Sequence, residues 1–96
     1  MRLVSVTKSP NPAKKLRATF EDHGGRQKHT DFGDSSMDDY TQHHDTIRRA
    51  NYRSRHQKDL LTNDPTRAGY LSYYILWGNS TSRDANIASY KKRFNL

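Results

Sequence analysis

The sequence predicts an α+β domain: a small N-terminal antiparallel sheet of two to three strands, packed with three helices. Three observations predict it. Through the first 33 residues apolar and polar side chains alternate with a period near two. From residue 37 onward the apolar spacing lengthens to three and four. Asn63-Asp64-Pro65 and Gly78 then punctuate that second part where helices would stop and restart.

Residues 3–8 are short and rich in β-branched side chains, and period two places Val4 and Val6 on one face. Pro10 and Pro12 break the pattern, so 9–13 is expected to be flexible. Residues 14–21 alternate well, with Leu16, Ala18 and Phe20 pointing one way and Lys15, Arg17, Thr19 and Glu21 the other. The run Glu21-Asp22-His23-Gly24-Gly25 is a turn, because glycine tolerates positive φ. A weaker third strand follows over 26–32, with Thr30 and Phe32 on one face, and the short connections make residues 1–33 a meander. Residues 33–36 end the sheet and are a second flexible stretch.

Ser36 followed by Asp39 has the spacing of a capping box, and Asp38 and Asp39 suit the positive start of a helix. That predicts one long helix over 37–61, with Tyr40, His43, Ile47, Ala50, Ser54 and Leu61 on its inner face. Asp64 as N-cap and Pro65 as first helical residue predict a second helix over 65–77, closed by Gly78. This helix carries Tyr70, Tyr73, Tyr74 and Trp77 on one stripe and Ala68, Leu71 and Ile75 nearly opposite, so it is expected at the centre. A third helix, 82–93, has Ile87, Tyr90 and Phe94 in a stripe and Lys91, Lys92 and Arg93 in its last turn. The deepest residues should be Phe20, Ile47, Leu71, Ile75, Trp77 and Ile87.

Ninety-six residues allow a single domain, 1–96. Hydrophobic residues are only 31% and mean hydropathy is −1.16, a thin core for a folded chain. The formal charge of +7 favours acidic partners: nucleic acid, an anionic membrane or an acidic protein surface. There is no cysteine, which removes disulfides and thiolate zinc sites and fits a reducing compartment. No segment approaches the length of a membrane span, and Met1 to Val6 is too short and too soon polar for a signal peptide. The expected location is therefore intracellular, with no membrane partner and no secretion.

The long helix is the most informative feature. Arg48, Arg49, Arg53, Arg55 and Lys58 fall within eleven residues, with Tyr52 among them. Guanidiniums on one helix side can grip phosphates bidentately, and a tyrosine there can stack on a base. The bland alternative is a solvated face with local pairing, for example Asp45 with Arg49. Lys14, Lys15, Arg17, Lys91 and Lys92 would extend the basic surface. His43, His44, Asn51 and His56 faintly resemble a His-Asn-His nuclease order, but their spacing is wrong and they lie on one helix, where they cannot converge on an ion. Asp31, Asp34, Asp38 and Asp39 form an acidic patch that loop and capping roles explain. No catalytic, metal or cofactor motif emerges, so the chain is expected to bind and not to catalyse.

The order of motifs resembles a family of small uncharacterised proteins of large double-stranded DNA viruses that infect algae and amoebae. The residues carrying the likeness are Lys14 to Phe20, Phe32-Gly33, Asp39-Tyr40-Thr41-Gln42-His43, Tyr52 to His56, Asn63 to Gly69, Ile75-Leu76-Trp77 and Ser89 to Phe94. The chain departs from the pattern at the turn of residues 21–25. The resemblance implies a viral setting and no mechanism: a genome-binding, virion-interior or minor capsid role, in host cytoplasm, nucleus or particle. Two functions follow as expectations. One is nucleic-acid binding through Arg48, Arg49, Tyr52, Arg53, Arg55 and Lys58. The other sets the same helix against an acidic viral protein surface.

Overall fold

A computed structural model describes residues 1–96. Three strands, β1 (Arg2–Lys8), β2 (Lys14–Glu21) and β3 (Gln27–Asp34), form an antiparallel meander in the order β1-β2-β3. Then come α1 (Tyr40–His43), α2 (Thr46–His56), a 3-10 segment (Gln57–Thr62), α3 (Ala68–Leu71) running on into a π-helical turn (Ser72–Leu76), and α4 (Arg83–Phe94). The α+β architecture is the expected one. The helical half is more broken than the periodicity predicted.

The inner sheet face follows the alternation of β2. Ala18 and Phe20 are fully buried, and Phe32, paired with Leu16, lies beside them. On β1 the expectation for Val4 fails. Leu3 pairs with Phe20 and Ser5 with Thr19, so two steps on β1 match one on β2 and Val4 is the extra residue of a bulge. The bulge resets the alternation, so that Leu3 and Val6 both reach the core while Val4 is exposed. Residues 9–13 form an ordered turn: Ser9 is buried, its Oγ accepts from the Asn11 backbone N–H, and Asn11 Oδ1 accepts from that of Ala13. β3 runs past Gly33, where a φ of 84° suits glycine. A Cβ there would lie 2.6 Å from Leu76 Cδ1, so the sheet and the π turn meet without a side chain between them.

The predicted helix over 37–61 is three pieces. Its N-cap is Asp39 and not Ser36, with Gln42 Oε1 reaching back to the Asp39 N–H in a capping box. His44 then adopts a left-handed conformation and Asp45 starts a new helix, accepting from the N–H groups of Ile47 and Arg48. The restart changes the phase, so α2 does not continue the face set by Tyr40 and His43. Ile47, expected in the core, is 73% exposed, and Leu61 is 80% exposed. The half-buried residues of α2 are Arg49, Tyr52, Arg53 and His56.

The second helix begins three residues late. Asp64 accepts from Thr66 N–H and hydroxyl, a local turn that the core holds in place. The Tyr90 hydroxyl donates to the Pro65 carbonyl and that of Thr30 to the Thr66 carbonyl. The helix is central on both sides as expected. Tyr70, Leu71, Tyr73, Ile75, Leu76 and Trp77 are buried, and most join Leu3, Ala18, Phe20, Phe32 and Tyr90 in one core. Its last turn is wide, the Trp77 N–H donating to the Ser72 carbonyl five residues back. Ser82 caps α4, its hydroxyl accepting from the Ala85 N–H, and the helix runs one residue beyond the expected end. Ile87 is only half-buried. Asn86 and Tyr90 take the deep positions, and Asn86 Nδ2 donates to the carbonyls of Ile75 and Ser80.

Candidate functional site

The cations predicted for binding divide into two groups. Arg48, Arg55 and Lys58 are exposed and form no ion pair. At steps of seven and three residues they follow one stripe of α2 and the 3-10 segment. No acid occurs from Thr46 to Lys58. Of the flanking acids, Asp45 caps α2, and Asp59 Oδ2 lies 3.0 Å from His56 Nδ1. The local pair of Asp45 with Arg49 does not form.

Arg49 and Arg53 point the other way, which corrects their place in the contact set. Arg49 Nε donates to the Gly78 carbonyl at 2.7 Å and its Nη2 to Asn79 Oδ1 at 2.7 Å. Arg53 Nη1 donates to the Trp77 carbonyl at 2.8 Å, and its guanidinium lies 4.1 Å from the Tyr73 ring centre. Both arginines satisfy carbonyls left open where the π turn ends. Burial pushes the Arg53 pKa down.

Tyr52 is also turned inward. One ring face stacks on Trp77, with centroids 4.2 Å apart and planes 6° from parallel. His56 covers the other face at 4.1 Å. With both faces occupied, Tyr52 offers no stacking surface to a base. Burial, followed by the Asp59 charge, pushes its hydroxyl up to about 12. His43 continues the array, 5.3 Å from Trp77. Its Nδ1 accepts from the Asp45 N–H, while its Nε2 is buried with no hydrogen-bond partner. His43 is therefore satisfied at one nitrogen only. No group of three or more His, Cys, Asp or Glu side chains converges on a point.

The secondary basic surface is partly consumed as well. Lys15 Nζ donates to Asp39 Oδ2 and Gln42 Oε1, both at 2.6 Å. Arg17 holds Asp31 through two hydrogen bonds, which draws the Asp31 carboxyl below the usual carboxylate range. Lys14, Lys91 and Lys92 remain exposed. Arg93 lies 5.0 Å from the Tyr74 ring centre.

The Tyr52–Trp77 stack forms one wall of a cleft of about 300 Å³ between the end of the β2–β3 hairpin, α2 and α3. Phe32 and Leu76, both fully buried, lie beneath its floor. Exposed Lys14, Asp34, Met37, Asp38 and Arg55 stand at its mouth. Gly69 lies in the wall, where a Cβ would come 2.9 Å from Asp59 Cβ, so glycine lets Asp59 reach His56. Sequence periodicity missed this cleft because its residues come from four separate segments. The spacing of Tyr52 and His56, four apart on a helix, was the one local signal.

A small α+β domain thus presents an unpaired cationic helix stripe beside an aromatic-walled cleft. The chain belongs to a family of unknown function, DUF5754, whose model matches residues 4–56, a span taking in most of β1 together with β2, β3, α1 and α2. No curated protein and no solved structure matches it. No helix is long and apolar enough to cross a membrane.

Proposed function

We propose that this chain binds nucleic acid through the outward stripe of α2 and the 3-10 segment, with Arg48, Arg55 and Lys58 on phosphates. One observation carries it: three exposed, unpaired cations share a helix stripe on which no acid occurs. The stripe is about 15 Å long, enough to meet several phosphates. An overall charge of +7 favours approach to any polyanion. The motif likeness to proteins of large DNA viruses supports a genome-associated or virion role in such a setting. Arg49, Tyr52 and Arg53 are withdrawn from the contact set, because each is already engaged within the fold.

Phosphate contacts release counterions, so affinity should fall with salt by a log–log slope of about 0.9 per contact on duplex. Arg48→Ala with Arg55→Ala should flatten that slope by about two units without changing the melting temperature. Retention of neither DNA nor RNA at low salt refutes the proposal. A second reading is favoured by Ile47 and Leu61, which are exposed on the same segment. They suit an acidic protein surface with an apolar patch, such as a capsid component. Ile47→Ser with Leu61→Ser leaves nucleic-acid retention intact under the first reading and abolishes partner capture under the second.

A further inference from the structure

We propose that the cleft receives one unpaired nucleotide, with an amino-bearing base against the Trp77 wall and its phosphate held at the mouth by Lys14 and Arg55. This rests on the nucleic-acid reading above and deepens it by naming what the helix stripe delivers. The volume, about 300 Å³, lies at the lower end for ligand pockets and suits one nucleotide. A base inside a duplex cannot enter such a space, so the occupant is a base splayed from a single strand or a free nucleotide. Phe32 and Leu76 are almost wholly covered, so the apolar surface open to a flat base is that of the Trp77 wall and Ala68, with Met37 at the mouth. Tyr52 does not supply the stacking face, since Trp77 and His56 already cover it.

The polar groups at the mouth select the base. Asp38 is exposed with no hydrogen-bond partner, and Asp34 accepts from Ser36 through Oδ1 alone, which leaves Oδ2 open. Open carboxylates can accept from the exocyclic amines of adenine, cytosine and guanine, whereas uracil and thymine offer only N3–H, flanked by two carbonyl oxygens that carboxylates repel. Lys14 and Arg55 face the same opening without an ion-pair partner. Arg55 also belongs to the cationic stripe, so a strand lying along α2 passes the cleft mouth.

Trp77 is the sole tryptophan and lines the cleft, so its emission reports occupancy directly. The full chain is titrated with AMP, CMP, GMP, UMP and inorganic phosphate, with correction for absorbance. A saturable change is expected for one or more of the amino-bearing nucleotides, at least about tenfold weaker binding for UMP, and no change for phosphate alone. Lys14→Ala and Asp38→Ala alter exposed side chains, so the fold should hold, and each should raise Kd about tenfold. Lys8→Ala, which removes an exposed cation outside the cleft, should leave mononucleotide Kd unchanged. Ala68→Leu fills the cleft and should abolish the response, with a thermal melt to show that the variant folds.

No response to any nucleotide, UMP equal to the others, or Lys14→Ala and Asp38→Ala both binding like the parent overturns the cleft proposal. Retained strands with no Trp77 response also remove the cleft and leave helix-stripe binding standing. The expected mononucleotide pattern with no strand retention does the opposite, supporting the cleft as a free-nucleotide site and refuting the stripe.

Discussion

Asp39 carries a charge almost out of water, with its side chain 2% exposed, and what surrounds it sets the cost of losing it. Lys15 Nζ lies 2.6 Å from Oδ2 and Arg83 Nη2 3.1 Å, while Oδ1 accepts from the N–H and hydroxyl of Thr41. One carboxylate therefore ties β2, α1 and the start of α4 together. Asp39→Asn keeps the size and a competent helix cap but removes the charge. It strands the Lys15 ammonium, whose side chain is 11% exposed, with Gln42 as its remaining partner. Removing one member of a buried pair costs about 3–5 kcal/mol. Retention of the cap and the partial exposure of Arg83 place the expected loss near the lower end, about 3 kcal/mol. For a domain this small that lowers Tm by roughly 12–24 °C. Circular-dichroism melts and urea titrations measure it. Adding Lys15→Met removes the stranded ammonium and should recover part of the loss. An Asn variant melting within about 4 °C of the parent would refute the argument, since less than about 1 kcal/mol would then depend on the charge.

Trp77→Ala should cost about 3–5 kcal/mol in the same melts, because the ring is buried and stacked on Tyr52; a parent-like melt would mean that the ring is exposed. Gly78→Ala should cost about 3 kcal/mol, since a Cβ would sit 2.2 Å from the Tyr74 carbonyl oxygen; a neutral result would show that the turn opens easily. Acid should unfold the chain through its carboxylates. Burial pushes the Asp39 pKa up, but the bonds and charges of Lys15, Thr41 and Arg83 outweigh it and hold the group low; Asp31, Asp34 and Asp64 are also held low by hydrogen bonds. Their folded-state values lie below the unfolded value of about 3.9, so the stability they give is full above that pH and lost as pH falls through the folded values. Urea midpoints level from pH 7 to about 5 and falling below about 4 are expected, and the Asn variant at position 39 should show a shallower fall.

Regular elements with simple periods were legible. The alternation of Leu16, Ala18 and Phe20 placed β2 on the core, and the Glu21 to Gly25 turn fixed the meander. Ser82 and the cations at 91–93 framed α4. Irregularities were not legible, because each rests on contacts distant in sequence. The bulge at Val4 answers to the register against β2. The delayed start of α3 answers to Tyr90 and Thr30, which hold residues 65 and 66 in a turn. The restart at Asp45 did leave a local trace, an Asp directly before Thr46, but no glycine or proline marked the break.

The candidate site suffered most from one assumption, that the inner face of a helix is its apolar face. In a chain only 31% hydrophobic that assumption selects the wrong side of α2. Of the segment's large aliphatic residues, Ile47 and Leu61 face water and Leu60 alone packs on the core. The inward side is built from Arg49, Tyr52, Arg53 and His56, whose long or flat side chains cover apolar surface while their polar ends find carbonyls and a carboxylate. Arginines four apart meet the end of the π turn because that turn leaves carbonyls open beside them. The same five cations thus hold two roles that composition cannot separate. Arg49 and Arg53 fasten α2 to the core. Arg48, Arg55 and Lys58, which no partner in the fold claims, remain available to a polyanion.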